Sequence, residues 1–364
     1  MKPYIPQNLP ISDQIDWVNL ISLISRAGYA LAKYEGILQG VVNPLLLLSP
    51  LTTKEAVISS KIEGTQATLE EVLEYEASAS VKIERHEDIQ EIINYRQALA
   101  YAIEQIEKKP INLNLIKKIH FGLLDSVRGI DKARGEFRTI QNWIGSPGTP
   151  IEKATFVPPA PEIVLPSMSN LEYYIHHEEK DRLVQLAIIH AQFEMIHPFI
   201  DGNGRVGRIL IPLFLVEKQL LKNPVFYISS YLDEKRDIYY DRLNNVSKKG
   251  DWNGWISFFL EAVEAQAKKN TTVVQSILSF YEEMKEMIVK YTKSQFAIRA
   301  LDAIFEKPIF TTTQFIARSS IPKASAMRML SKLKEEKILV NIREGKGRRP
   351  ALIVFDKLMD IINS

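Results

Sequence analysis

Twelve consecutive residues, His197 to Arg208, read His-Pro-Phe-Ile-Asp-Gly-Asn-Gly-Arg-Val-Gly-Arg and hold a base, a carboxylate, three glycines and two guanidinium groups. An imidazole with an ordinary pKa of roughly 6.5 accepts a proton from a hydroxyl near neutral pH. Pro198 disfavours αR geometry in the residue before it, so a helix running up to Ile196 ends at His197 and leaves that side chain on a loop. Asp201-Gly202-Asn203-Gly204 follows at once, and residues that tolerate positive φ let successive N–H groups point into one anion-binding concavity. A helix beginning near Asn203 adds the favourable end of its dipole. Arg205 and Arg208, three apart, leave the same face of its first turns and make a cradle for a polyphosphate. Asp201, between the histidine and the cradle, suits a Mg²⁺ that keeps most of its shell as water and phosphate oxygens. The chemistry of such a set is transfer of a phosphate-containing group to a hydroxyl.

The elements that must position this set are mainly helical. Apolar residues recur at three- and four-residue spacing over Leu69 to Tyr75, Ile89 to Ile106, Leu113 to Val127, Leu183 to Ile196 and Trp255 to Ala267. The stretch after Asn203 is apolar almost all round, which marks a central helix. Two regions break the pattern. Gly135 to Pro166 is rich in Gly and Pro around β-prone pieces (Phe137 to Ile144, Ala154 to Val157) and reads as a long loop with a hairpin. Ile338 to Ile342 and Ala351 to Phe355 flank a basic turn, Arg343 to Arg349, and read as a second hairpin. The order predicts four units: an N-terminal helical domain (1–108), a core (109–270), a linker helix (271–292, with the charged run Tyr281 to Lys290) and a C-terminal domain (293–364).

Two other site readings fail on local pattern. Gly202-Asn203-Gly204-Arg205-Val206-Gly207 satisfies the dinucleotide pattern G-x-G-x-x-G, but helical periodicity precedes it and no βαβ alternation follows. His190 and His197 lie two helical turns apart, yet a helix end intervenes and no third ligand is at hand, so His190 is expected in the core.

The chain of 364 residues has 46 Lys and Arg against 44 Asp and Glu, which gives no global attraction to nucleic acid or an anionic membrane. It contains no cysteine, which excludes disulfides, thiolate metal sites and thiol nucleophiles, and agrees with a cytoplasmic location. No secretory signal is legible in Met1 to Trp17, and the most apolar run, Ile209 to Val216, is too short to span a bilayer, so no membrane partner is expected.

His197 to Arg208 resembles the signature of the Fic (filamentation induced by cAMP) family, HPFx[D/E]GNGRxxR, with every defining position filled. The resemblance implies a Fic-fold helical core with a β-hairpin flap and the activity of a protein adenylyltransferase. AMP would pass from ATP to a Ser, Thr or Tyr hydroxyl of a protein, including itself. It also implies His197 as general base, Asp201 holding Mg²⁺, Gly202, Asn203 and Gly204 binding the α- and β-phosphates, and Arg205 and Arg208 holding the β- and γ-phosphates. Ser59-Ser60-Lys61-Ile62-Glu63-Gly64 resembles the inhibitory motif [S/T]xxxE[G/N] of the class II members, in which the glutamate pairs with the second arginine. Ser59 and Glu63 share a helix face and Gly64 is suited to end the turn. The stretch from Gly135 to Pro159, with Gly135-Glu136-Phe137-Arg138 and Asn142-Trp143-Ile144-Gly145, corresponds to the flap that aligns a target segment by main-chain pairing. Tyr239 and Tyr240 fall where related proteins build the adenine pocket. A Fic enzyme that transfers another nucleotide, or that removes AMP, is an alternative within the same fold.

The C-terminal part has a different character. Helices over Phe296 to Glu306, Thr311 to Arg318 and Pro322 to Glu336, followed by the basic hairpin, resemble a winged helix-turn-helix domain. Ile321 to Pro350 carries nine Lys and Arg against three Glu, so the positive charge is local. That suits phosphate contacts in duplex DNA, or docking to a protein or a second copy of the chain, and makes a DNA-binding regulator the alternative of a different class. The partners expected are therefore ATP, a protein bearing an acceptor hydroxyl, a homodimer mate, and DNA through the winged helix.

Overall fold

The computed structural model describes residues 2–41, 43–78, 85–125, 132–145, 148–345 and 350–364. Among these, sixteen α-helices and three short strands follow one another. The N-terminal half contributes α1 (Trp17–Gln39), α2 (Pro44–Leu47), α3 (Ser49–Ile62), α4 (Leu69–Ser78), α5 (His86–Ile106) and α6 (Leu113–Leu123). Lys108-Lys109-Pro110, at the end of the first predicted unit, lies between α5 and α6. Then come α7 (Pro161–His176), α8 (Arg182–Ile196), α9 (Asn203–Glu217), α10 (Ser229–Glu234), α11 (Arg236–Lys249) and α12 (Trp252–Thr292). Leu113 to Val127 is helical as far as Leu123, and Val127 lies outside the described residues.

α9 is the axis of the core, as its all-round apolar sequence requires: every residue from Asn203 to Leu215 is buried. α8 packs along it, buried from Leu183 to Phe193, and α5 and α6 complete its surround. α1 runs along α12, burying Leu20, Ala27, Leu31 and Tyr34, and α12 closes over α8 with Trp255 donating its indole N–H to the Ala187 carbonyl at 2.7 Å.

Two sequence expectations need correction here. The loop begun at Gly135 ends at Pro161, not Pro166. Pro161 starts α7, where its fixed φ suits the first turn, and Pro166 is carried inside that helix. Glu162, whose carbonyl loses its partner to that proline, is exposed. Within the loop the hairpin is reduced to one antiparallel bridge, Ile144 to Phe156. The linker is likewise no separate element. No Gly or Pro interrupts Trp255 to Thr292, Asn270 and Thr271 are buried, and α12 continues as one helix of 41 residues into which the Tyr281 to Lys290 segment is absorbed.

Beyond α12 lie α13 (Ala297–Glu306), β1 (Ile309–Thr311), α14 (Thr312–Ser319), α15 (Lys323–Glu335), β2 (Val340–Arg343), β3 (Leu352–Val354) and α16 (Asp356–Asn363). The strands form an antiparallel sheet in the order β1-β3-β2. Thr311 starts α14 with a capping box closed by Gln314, two reciprocal bonds that satisfy orphan N–H groups. Arg348 and Arg349 of the basic turn lie outside the described residues.

This module grips the segment between α3 and α5. Glu76 of α4 pairs with Arg96 at 2.8 Å and with Lys307, while its carbonyl accepts from Gln314 at 2.8 Å. Burial alone would raise the Glu76 carboxyl, but Arg96 and Lys307 together hold it below its ordinary value. Glu76→Ala would leave two cations facing each other without their counterion. We expect a loss of about 2 kcal/mol in unfolding free energy and faster amide exchange in α14; unchanged exchange there would show that Glu76 does not hold the module. No helix among the described residues is long and apolar enough to cross a membrane.

Candidate active site

α8 ends at Ile196 and His197 adopts left-handed backbone geometry (φ 50°, ψ 58°), which turns the chain out of the helix before Pro198. A non-glycine residue in this region is uncommon and has to be held there. Arg138 holds it: its guanidinium is buried and donates to the carbonyls of His197 (2.9 Å), Pro159 (2.6 Å) and Ile196 (3.3 Å), and its own N–H donates to the Pro198 carbonyl. Asn203 closes the loop from the far side, its amide bonding both the N–H (2.8 Å) and the carbonyl (2.9 Å) of Phe199. Phe199 is fully buried and stacks on His120 of α6 at 3.8 Å. His120 accepts from the Gly135 N–H at Nδ1, so its Nε2 carries the proton that reaches the Asp201 carbonyl at 3.0 Å. Burial depresses this imidazole to about 4, which keeps it neutral in the role.

His197 itself is similarly constrained. Its Nδ1 lies 3.3 Å from the Glu194 carbonyl, an acceptor only, so Nδ1 holds the proton and Nε2 presents a lone pair. Burial pulls its pKa down to about 4, which makes the ring a neutral acceptor throughout the neutral range. Gly202, at φ 76°, starts α9 with the left-handed residue that an N–H concavity at a helix N-terminus needs.

Both arginines of the cradle are already engaged. Arg208 is 1% exposed and donates Nε to the Ser59 hydroxyl (2.8 Å) and Nη2 to the Ser59 carbonyl (2.9 Å) and to Glu63 Oε1 (2.6 Å). Glu63 caps α3, and the left-handed Gly64 after it ends the helix. The Glu63 carboxylate lies directly over the start of α9, since a Cβ at Gly204 would fall 2.2 Å from its Oε1. Burial works to raise this carboxyl, but Arg208 overcomes it and holds the pKa below the ordinary value. Arg205 turns the other way, to Glu91 of α5 at 2.9 Å, with Asp201 at 3.7 Å. α3 is pinned from behind by Glu55, a fully buried carboxyl whose pKa burial pushes up to about 7 and which accepts from the Ser229 hydroxyl at the start of α10.

Among the described residues the half-exposed Asp201 carboxylate bonds only the Gly202 N–H beside it, apart from Arg205. Among the described residues no three potential ligand side chains converge. One open carboxylate fits a magnesium ion that arrives with most of its ligands as water and phosphate, and does not fit a caged one.

A cavity of about 370 Å³ adjoins the loop, walled by Ile144, Thr155 and Phe156 of the flap, by Glu194 and Met195 of α8, and by Tyr240, Leu243 and Asn244 of α11. Tyr240 therefore faces this cavity. Tyr239 does not: it is 1% exposed, and its hydroxyl is 3.0 Å from His190 Nε2 in the core, where His190 stacks on Trp255. Adjacent residues on a helix point about 100° apart, so only one of the pair can face the cavity. Sequence reasoning missed His120, Glu91 and Glu194; no local motif surrounds them, and only the fold brings them to the loop and the arginines.

Comparison with known proteins adds to this geometry. Residues 21–104 match the Fic/DOC family N-terminal domain and residues 110–215 the Fic/DOC family domain. The chain is 29% identical over 211 residues to Protein adenylyltransferase Fic of Drosophila grimshawi, covering 56% of this chain and 39% of that protein. It is 44% identical over 82 residues to a probable protein adenylyltransferase of Aquifex aeolicus, covering 21% and 26%. It thus spans well under half the length of these curated relatives. Among solved structures, a Fic family protein from Desulfovibrio desulfuricans aligns over 97% of this chain and 98% of its own, with a TM-score of 0.58 and 18% identity. Fic-1 from C. elegans aligns over 71% and 75%, with a TM-score of 0.54 and 20% identity. Both carry the same fold.

Proposed function

The chain belongs to the Fic/DOC family, and on that premise we propose that it is a protein adenylyltransferase, moving AMP from ATP to a Ser, Thr or Tyr hydroxyl of a protein, its own chain included. The names of its relatives support this reading. The observation that carries it is the free Nε2 of His197 beside an N–H concavity at the head of a buried helix. In this reading His197 Nε2 takes the proton of the acceptor hydroxyl as its oxygen bonds to the α-phosphorus. The bond from that phosphorus to the α,β-bridging oxygen breaks, and pyrophosphate leaves. The Gly202 to Gly204 backbone and the dipole of α9 stabilise charge on the phosphoryl oxygens, and Arg208 and Arg205 orient the β- and γ-phosphates. Asp201 would hold Mg²⁺, which when bound neutralises phosphate charge. Flap residues around Ile144 would align the target backbone, and Tyr240 would contact the nucleobase.

Glu63 and Ser59 act in this proposal as a brake, because Arg208 cannot hold Glu63 and a γ-phosphate at once. ATP labelled at the α-phosphorus tests the whole: label should appear on protein in the Glu63→Gly form and vanish with His197→Ala. Mass spectrometry of the adduct from several nucleotide donors separates adenylyl transfer from transfer of another group, and loss of a preformed adduct would reveal AMP removal instead. The reaction is placed in the cytoplasm, in keeping with a chain without cysteine.

A second reading concerns the C-terminal module, which we read as a winged helix from its order of helices and strands. Lys323, Arg328 and Lys337 are exposed on or just after α15. Binding to duplex DNA should fall steeply as salt rises; affinity independent of salt would exclude phosphate recognition.

A further inference from the structure

We propose that Arg236 is the positioning residue of the brake: from the first turn of α11 it grips the last carbonyl of α3 and so keeps Glu63 over the phosphate cradle. This rests on the reading of Glu63 as a brake, and deepens it by naming what holds the brake in place. Glu63 is the C-cap of α3, with Gly64 at φ 107° behind it, and among the described residues its carboxylate bonds only Arg208. The last turn of a helix frays unless its unpaired carbonyls find donors. In α3 these can be followed one by one. The Ser59 carbonyl accepts from Arg208, that of Ser60 from the N–H groups of Glu63 (3.0 Å) and Thr65 (3.2 Å), and that of Lys61 from the Gly64 N–H (3.0 Å). The last, Ile62, accepts from Arg236 Nη2 at 2.5 Å, across 174 positions of chain. The residue just before Glu63 is thus held by a cation from another element, and a guanidinium at a helix C-terminus has the sign that the dipole favours.

Two other bonds join the same elements, and neither does this work. Lys61 pairs with Asp233 of α10 at 2.8 Å, but the lysine side chain is 60% exposed and a surface pair of this kind contributes little. Ser229, at the start of α10, holds Glu55 two turns back along α3, behind the cradle and away from the Glu63 end. The Arg236 guanidinium also lies 5.9 Å from the ring centre of Tyr240, a wall of the cavity, so an effect through the nucleotide has to be separated from an effect through α3.

The test measures incorporation of label from ATP labelled at the α-phosphorus, in the full chain. Arg236→Met keeps the stem of the side chain and removes its donors. It should raise incorporation about three- to tenfold over the parent, short of the gain from Glu63→Gly because Arg208 still attracts the carboxylate. Amides of Glu63 to Thr65 should exchange faster in the same variant. Arg236→Lys should stay within about twofold of the parent, since the carbonyl takes a single bond that an ammonium can also supply. Lys61→Met, which removes only the exposed pair, should likewise stay within about twofold. In the Glu63→Gly background no brake is left to hold. There Arg236→Met should change neither incorporation nor binding of α,β-methylene ATP, which binds without transfer, by more than about twofold. An equal gain from Arg236→Met in both backgrounds would assign Arg236 to the nucleotide and overturn the proposal. So would no gain in the parent while Glu63→Gly is active, or a gain from Lys61→Met as large. If Glu63→Gly itself incorporates no more than the parent, the brake reading falls and takes this assignment with it.

Discussion

Glu63→Gly raises incorporation of labelled AMP into the protein about ten- to hundredfold, and the same change makes the nucleotide-free protein less stable. Both effects follow from one charge. Arg208 is wholly buried, and Glu63, about a third exposed, is the counterion on its open side. Removing it leaves a guanidinium whose remaining acceptors are the hydroxyl and carbonyl of Ser59. A hydrogen bond to a charged group contributes about 1.5–3 kcal/mol, which is roughly the rate factor above when that interaction passes to a γ-phosphate. The thermal midpoint should therefore drop without nucleotide, while the stabilisation produced by ATP should exceed that of the parent protein, because the phosphate supplies the missing negative charge. Equal incorporation by the two proteins would refute the brake. So would a Glu63→Gly protein that ATP stabilises no more than the parent. The sign with pH is equally definite. The folded pKa of Glu63 lies below its unfolded value, so the pair is complete above that unfolded value and is lost only as pH falls through the depressed one. Acidification from about pH 8 to 6 should not release the brake.

His197→Ala, made in the Glu63→Gly background so that there is activity to lose, should reduce AMP transfer by about 10²- to 10⁴-fold, the usual worth of a positioned general base. Binding of α,β-methylene ATP should change little, since the phosphates rest on the backbone of Gly202 to Gly204 and on Arg208. A fall in affinity as large as the fall in rate would instead assign His197 to binding. The pH profile gives a second handle. Burial holds the imidazole near 4, Glu63 is one of the groups raising it, and its removal lowers the value further. The rate should then show no acid limb from His197 between about pH 6 and 8; a limb centred near the ordinary 6.5 would mean that the ring is solvated and free in the active state. Stability has the opposite exposure to acid. His120 and His197 near 4 and His190 near 3 all bind fewer protons folded than unfolded, so the stability they confer is complete above about 6.5 and drains away as pH falls towards those values.

The chemistry-bearing segment was legible in the amino-acid sequence because its geometry is local. Pro198 ends α8 through contacts with its own neighbour, Gly202 starts α9 by adopting a φ that side chains resist, and Arg205 and Arg208 are placed on one helix by spacing alone. The capping of α14, the Gly64 stop after α3 and the antiparallel pair β2–β3 are of the same kind. Where a local signal was weak, the reading slipped. Pro166 looked like a loop residue but sits inside α7, and the flap hairpin shrank to one bridge. Partner choice and protonation were beyond reach, because both depend on residues far apart in the chain and on how completely water is excluded. Arg205 meets Glu91 across 114 positions, and Arg208 meets Glu63 across 145, a pairing that only the resemblance to the inhibitory motif implied. Arg138 is bonded to three carbonyls that no pattern links to it. Tyr239 and Tyr240 are chemically alike and adjacent, yet the packing of α11 sends one into the core and one to the cavity. No motif surrounds Glu194, and only the burial of its turn against α9 pushes its carboxyl up and leaves Oε1 without a partner.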